Sequence, residues 1–153
     1  MNNKDLLIWA SDLSANTGEG ILARSFLDQV KKIKKYKNIK IKTLEDNLTL
    51  HHLDVNKVKF KQKNKKTTYH KYFGPIYGAF YLFFNRGKNE LMYLNYLPYW
   101  NFIIFLILTN KTILGPITGG IYKQSANNLN LIIRKYLFPL FYKISKIIIY
   151  KNL

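Results

Sequence analysis

Two stretches constrain this chain more than any others: Tyr93-Leu94-Asn95-Tyr96-Leu97-Pro98-Tyr99-Trp100-Asn101-Phe102 and Thr112-Ile113-Leu114-Gly115-Pro116-Ile117-Thr118-Gly119-Gly120. Each begins as a short apolar run of strand type and stops abruptly in polar, Gly and Pro residues. An open α/β sheet builds its ligand crevice from strand ends of this kind, so the pattern places the functional residues at those two endings.

The rest of the chain alternates between strand-like and helix-like pieces. Leu6-Leu7-Ile8-Trp9-Ala10, bounded by Ser11 and Asp12, predicts a strand covered on both faces. Ser14 to Gly20 is a turn-forming loop. From Ile21 the period is helical: Leu22, Phe26, Val30 and Ile33 form one stripe with Ala23 and Leu27 beside it, while Arg24, Asp28, Lys31, Lys32 and Lys35 face away. Asn38 ends this helix, and Ile39 to Leu44 alternates strictly, as in a strand with one wet side or one near an edge. Residues 45–66, polar and rich in Lys and Asn, predict a mobile excursion with a short alternating strand at Val58 to Lys61. A second helix is predicted from Thr67 or Thr68 to about Phe84, broken or re-capped at Gly74-Pro75 and stopped at Arg86-Gly87-Lys88-Asn89. There follow a strand Leu91 to Asn95, a helix from about Pro98 to Leu108, a strand Thr112 to Ile117 and a Gly/Ser/Asn loop. A helix from about Asn127 to Tyr142, kinked at Pro139, and a strand Ile147 to Tyr150 close the chain. The expected fold class is α/β: a Rossmann-like open parallel sheet flanked by helices, in one domain over residues 1–153.

Composition narrows the partners. A chain of 153 residues holds one domain whose core buries roughly 70% of the unfolded surface. Without cysteine there are no disulfides, thiolate metal sites or cysteine nucleophiles. The first residues lack the long apolar stretch and small-residue cleavage site of a secretory signal, so a cytoplasmic location is expected. The net charge of +17 invites a nucleic-acid reading, yet only three of 25 basic residues are Arg: Arg24, Arg86 and Arg134. Phosphate and base recognition favours the bidentate guanidinium, which disfavours nucleic acid as a partner. The lysine excess reads equally as drift in coding composition or as a basic surface, whose target would then be anionic lipid head groups on the inner face of the plasma membrane. Residues 91–110 carry no charge and as one helix would span roughly 30 Å, the thickness of a bilayer core. Asn95, Pro98 and Asn101 near the centre would each be costly in lipid, so a strand, a turn and a buried helix are expected instead. Peripheral membrane association remains open.

Candidate binding residues sit where strands end. In Thr17-Gly18-Glu19-Gly20, glycine lets backbone N–H groups approach a phosphate at a helix N-terminus. The spaced G-x-G-x-x-G of dinucleotide sites is absent. An equal reading is a tight turn with Thr17 as N-cap and Glu19 complementing the helix dipole. Gly115, Thr118, Gly119 and Gly120 leave amides and a hydroxyl uncovered at the sheet edge, or form a connector that needs positive φ at Gly119 or Gly120. Asn95 and Tyr96 end the neighbouring strand and share that crevice, or serve as a polar cap and a packed aromatic. His51, His52 and His70 have no acidic or Cys partner at metal-ligand spacing, so no metal site is expected. Asp12 and Glu19 are the acids beside the crevice; either suits a base or a hydroxyl binder, and no catalytic residue is assigned.

The order strand, Gly-containing loop, long helix, strand, then Leu91 to Pro98, Lys111 to Gly120 and Leu131 to Asn152 resembles the N-terminal half of family 4-like glycosyltransferases of the GT-B type. The stretch from Arg134-Lys135-Tyr136-Leu137 through Lys143 to Tyr150 is similar to that family's helix leading into a strand before the inter-domain cleft. The resemblance implies transfer of a sugar from a nucleotide-diphosphate donor to a glycan or lipid-linked acceptor, as in polysaccharide biosynthesis, with no further cofactor. It places Gly18, Glu19 and Gly20 near the donor phosphates or acceptor, and Thr118 where the family often carries a His. It also implies a C-terminal donor-binding domain, absent from these 153 residues, without which no turnover is expected. Truncation, an interrupted reading frame or, ranked below truncation, a separate donor-domain subunit as partner would each account for this; the alternative function is a non-catalytic basic peripheral-membrane or RNA-binding module.

Overall fold

The computed structural model describes residues 5–32, 36–43, 47–50, 68–87, 89–108, 111–118 and 133–152. Four strands run parallel: β1 (Leu6–Trp9) lies between β2 (Ile39–Lys42) and β4 (Glu90–Tyr93), and β4 pairs onward with β6 (Thr112–Leu114). β3 (Asn47–Leu50) adds antiparallel to β2, giving the order β3-β2-β1-β4-β6. A strand therefore stands at the start of the segment expected as an excursion. In the register Ile39 stands opposite Leu50 and Ile41 opposite Leu48. The possible strand at Val58 to Lys61 lies outside the described residues. Helices flank both faces, so the fold is α/β with a four-stranded parallel sheet, compatible with a Rossmann-like fold.

Both faces of β1 are buried, as its unbroken apolar run requires. Leu6 and Ile8 point to a core shared with Ala23, Leu27 and Val30 of α1 (Gly18–Lys32). Leu7 and Trp9 point to a second core, with Ala79 and Leu82 of α2 (Thr68–Phe84) and Ile104 and Phe105 of α3 (Phe102–Ile107). Ile148 and Ile149 of α4 (Phe138–Asn152) pack on its margin. After β1 the chain moves to β2, then crosses back to β4 on the other side. The loops after β1 and β4 thus diverge at a topological switch point, where open α/β sheets hold ligands.

Several elements differ from expectation. α1 starts at Gly18, and its buried stripe is Gly20, Ala23, Leu27 and Val30. Leu22 and Phe26 are 47% and 45% exposed, so the stripe is rotated by about one residue from the one periodicity suggested. Arg24 does not face freely outward, since its Nε donates to the Leu13 carbonyl at 2.6 Å. α2 runs unbroken through Pro75. A helix-interior proline costs about 3 kcal/mol, offset here by packing of the helix along the sheet. Gly78 allows that approach, because a Cβ there would overlap the Trp9 indole. Gly87 takes the left-handed region, with φ +28°, just beyond the helix end.

Residues 91–110 do not form one helix. β4 is followed by β5 (Leu97–Pro98) and then by α3, which starts at Phe102 and not near Pro98. The strand expected over Thr112 to Ile117 is split at Gly115-Pro116: β6 stays in the main sheet, and β7 (Ile117–Thr118) leaves to pair with β5 in a small parallel ribbon. Pro116 lacks the N–H a ladder needs but still accepts from Leu97 N–H at 2.9 Å. The strand expected at Ile147 to Tyr150 is the last part of α4. Ser145, Ile148 and Ile149 share one turn-spaced face turned inward, so the β-branched run follows the helical period. A single π-helical turn, Ile133–Leu137, precedes α4, and a widened turn there accommodates Pro139 without a sharp break. Among the described residues no helix is long and apolar enough to cross a membrane.

Candidate functional site

The loop after β1 is folded around one carboxylate. Asp12, buried, accepts from the Ser14 N–H at 2.9 Å through one oxygen and from the Thr17 hydroxyl at 3.0 Å through the other. Thr17 in turn caps α1: its Oγ1 accepts from Gly20 N–H at 3.0 Å, and its carbonyl accepts from Ile21 N–H. Gly20 is wedged under this turn, since a Cβ would lie within 2.8 Å of three Ser14 backbone atoms. The capping reading of Thr17 therefore has direct geometry behind it. Gly18 is exposed, and a Cβ there would meet nothing within 4 Å.

Asn95 locks this loop to the tip of β4. Its Oδ1 accepts from Asp12 N–H at 3.2 Å and its Nδ2 donates to the Asp12 carbonyl at 2.9 Å, both buried. The amide acts as a short piece of ladder that extends the β1–β4 pairing past the last strand residue, closing the switch point at its centre. Tyr96 follows, and its N–H donates to Glu19 Oε1 at 3.2 Å. The first turn of α1 and the end of β4 are thus joined by one carboxylate and one carboxamide.

Beside these contacts lies a cavity of about 330 Å³, at the small end of the range for ligand sites. Leu22 and Phe26 of α1 form one wall, Met92 and Leu94 the floor, and Ile113 and Leu114 the far wall, with Glu19 and Tyr96 at the polar end. The lining is almost wholly apolar. Gly115 closes the top: its N–H donates to Tyr93 O at 2.6 Å, and a Cβ would lie 2.6 Å from both the Leu94 and Asn95 carbonyls. Glycine is needed there because two backbones meet. Burial pushes the Tyr93 phenol well above its ordinary range.

Of the residues singled out by sequence, the structure brings Glu19, Asn95, Tyr96 and Gly115 together on one cavity. Gly18 and Gly20 belong to the cap and lie off its wall. Thr118 is carried into the ribbon opposite Pro98, and Gly119 and Gly120 lie outside the described residues. Leu22, Phe26, Met92 and Ile113 were missed as site residues. The signal that could have found them is the excess width of the apolar stripe on α1, which holds more large side chains than one buried face needs. Among the described residues no group of three His, Asp or Glu side chains could hold a metal ion. Compared with known protein families, with curated proteins and with solved structures, the chain matches none.

Proposed function

We propose that this chain is the acceptor-side, N-terminal half of a GT-B-type glycosyltransferase, whose partner domain or subunit holds a nucleotide-diphosphate sugar. The observation that carries the reading is the cavity at the C-terminal strand ends, apolar along its length with the Glu19 carboxylate at one end. Such a site suits an acceptor with an apolar body and a hydroxylated head, which is the chemistry of a lipid-linked sugar. Leu22, Phe26, Met92 and Ile113 would hold the apolar part, and Glu19, steadied by the Tyr96 N–H, would accept a hydrogen bond from an acceptor hydroxyl. Positioning and stabilisation of the departing diphosphate supply the rate enhancement in this reading, the second of these coming from the donor half. The family resemblance in strand–loop–helix order supports the assignment, while the helical end of α4 departs from the family's closing strand.

The test pairs binding with transfer. An alkyl glycoside should shift the Leu22, Met92 and Ile113 methyl resonances, and Glu19→Gln should weaken its binding about tenfold, the size of one charge-assisted hydrogen bond. Joined to a GT-B donor domain, the chain should transfer radiolabelled sugar from a nucleotide-sugar panel to the same glycoside. Unmoved methyl signals together with no transfer would sink the proposal.

A further inference from the structure

The cavity accounts for one side of the sheet; the other side carries a second feature. α3 packs between α2 and α4, and the three helices form one layer over the core that contains Trp9 and Tyr93. Phe73, Phe80 and Phe84 lie on the side of α2 opposite the buried Ala79 and Leu82. In α3, Leu106 lies opposite the buried Ile104 and Phe105, and in α4, Leu140 and Ile147 lie opposite the buried Ser145. These outer residues are large and open: Phe84 is 75%, Leu106 60% and Ile147 56% exposed. Isolated exposed apolar residues are ordinary, but a layer in which every helix presents them marks an interaction surface.

Charge tells what the surface meets. Not one of the eight acidic residues falls in residues 68–87, 97–108 or 133–152, the segments that carry this layer. Its cations include Arg86, Lys135, Lys143, Lys146 and Lys151, all exposed. Lys146 Nζ lies 5.9 Å from the Tyr150 ring and the Arg86 guanidinium 4.6 Å from the Phe83 ring. Each cation rests over an aromatic face, a pairing of positive charge with aromatic surface that suits a water–lipid boundary.

We propose that the outer face of α2, α3 and α4 docks on an anionic phospholipid bilayer, with Phe84, Leu106 and Ile147 entering the acyl boundary and the α4 lysines at the head groups. A second copy of this chain is a poorer occupant, because two acid-free layers would set cation against cation. Nucleic acid is poorer too: phosphates could meet the lysines and bases could stack on the exposed phenylalanines of α2, but the aliphatic Leu106, Leu140 and Ile147 of α3 and α4 would stay uncovered. The inference does not depend on sugar transfer. The α1-side cavity lies on the other face of the sheet, so a lipid-linked acceptor would have to be drawn out of the bilayer to reach it, whereas a water-soluble glycoside would enter directly.

Vesicle sedimentation tests it with the full chain, using phosphatidylcholine with and without phosphatidylglycerol. Strong binding is expected only with the anionic lipid. Lys143→Gln with Lys146→Gln should weaken partitioning on the order of 30-fold at low salt, given the usual contribution of a basic residue near a charged membrane. Leu106→Ser with Ile147→Ser should weaken it at least about tenfold at low and high salt alike. Both pairs are exposed, and circular dichroism with a urea midpoint would verify that each variant is folded. Lys31→Gln with Lys32→Gln on α1 removes the same charge from another helix and should change partitioning less than about twofold. Equal binding to both vesicle types, an equal loss from the α1 pair, Leu106-dependent dimers without vesicle binding, or RNA binding indifferent to Leu106 and Ile147 would each overturn the proposal.

Discussion

Replacing Asn95 by Ala tests whether one carboxamide holds the β1 loop against the tip of β4. The substitution removes two buried hydrogen bonds, Asp12 N–H to Oδ1 at 3.2 Å and Nδ2 to the Asp12 carbonyl at 2.9 Å. A buried polar group deprived of its partner costs about 1–3 kcal/mol; the longer bond argues for the lower end of that range, so the pair together should cost about 2–4 kcal/mol. Against a total of about 5–15 kcal/mol for a domain, this is a large fraction. With a urea slope of about 2 kcal/mol/M, the unfolding midpoint should fall by about 1–2 M, with the slope unchanged. Asn95→Asp separates the two bonds: it keeps an acceptor for the Asp12 N–H but sets an oxygen against the Asp12 carbonyl, beside the buried Asp12 carboxylate. At neutral pH it should be at least as damaging as Ala. Its new carboxyl would have a folded pKa raised above the unfolded value, because only the protonated form can donate to that carbonyl. The contribution of that form is present at low pH and lost as pH rises, so this variant should recover part of its deficit relative to wild type on acidification. A midpoint shift below about 0.3 M for Asn95→Ala would refute the reasoning, since the loop would then be held by other contacts.

Two further outcomes follow from the same geometry. Gly18→Ala should be neutral to stabilising by up to about 1 kcal/mol through helix propensity, whereas Gly20→Ala, which drives a methyl into the Ser14 backbone, should cost about 1–3 kcal/mol; urea melts that rank the two the other way would contradict the wedge beneath the cap. The Asp5 carboxyl is held below its ordinary value of 3.8, first by its hydrogen bond to Lys40, whose Nζ lies 3.0 Å away. A depressed folded pKa makes that contribution present above the unfolded value and lost as pH falls through the folded one, so the stability gap between wild type and Asp5→Asn should be flat above about pH 5 and close as pH drops below about 4, as denaturation curves across that range would reveal.

The parallel sheet was legible because its strands are buried on both faces: the unbroken run Leu6 to Trp9 and the run ending at Tyr93 admit little else. What failed was local grammar under tertiary pressure. Pro75 reads as a breaker, yet α2 has a full sheet face to cover and a glycine at Trp9 that brings it close. Ile147 to Tyr150 reads as strand because three adjacent isoleucines suit both periods; with α3 alongside, the helical period half-buries Ile148 and Ile149 and the strand period offers no ladder. At the site, Glu19, Asn95, Tyr96 and Gly115 were found because chain breaks mark strand ends. Leu22 and Phe26 were assigned to the core because periodicity measures the width of an apolar face and not what covers it. Only coordinates show that β4 and β6 extend beyond the reach of α1 and leave those side chains over open floor.

The Asp12 carboxylate bears on which half of a transfer reaction the α1 end can serve. Helix N-termini attract phosphate when their amides and partial charge are uncommitted, and the Thr17-Gly18-Glu19-Gly20 loop has that outline. Here the turn already contains a carboxylate, bonded to Ser14 N–H and the Thr17 hydroxyl, and the first helical turn adds Glu19. A phosphate brought to about 4 Å from either would meet repulsion of about 4 kcal/mol per unit charge at an effective dielectric of 20, several times the gain a helix dipole gives a surface anion. A hydroxyl has no such penalty and can donate to Glu19. The local electrostatics therefore favour a neutral, hydroxylated ligand at this end of the cavity and leave the diphosphate of any donor to groups contributed from elsewhere. This is the division of labour that the acceptor-side proposal requires.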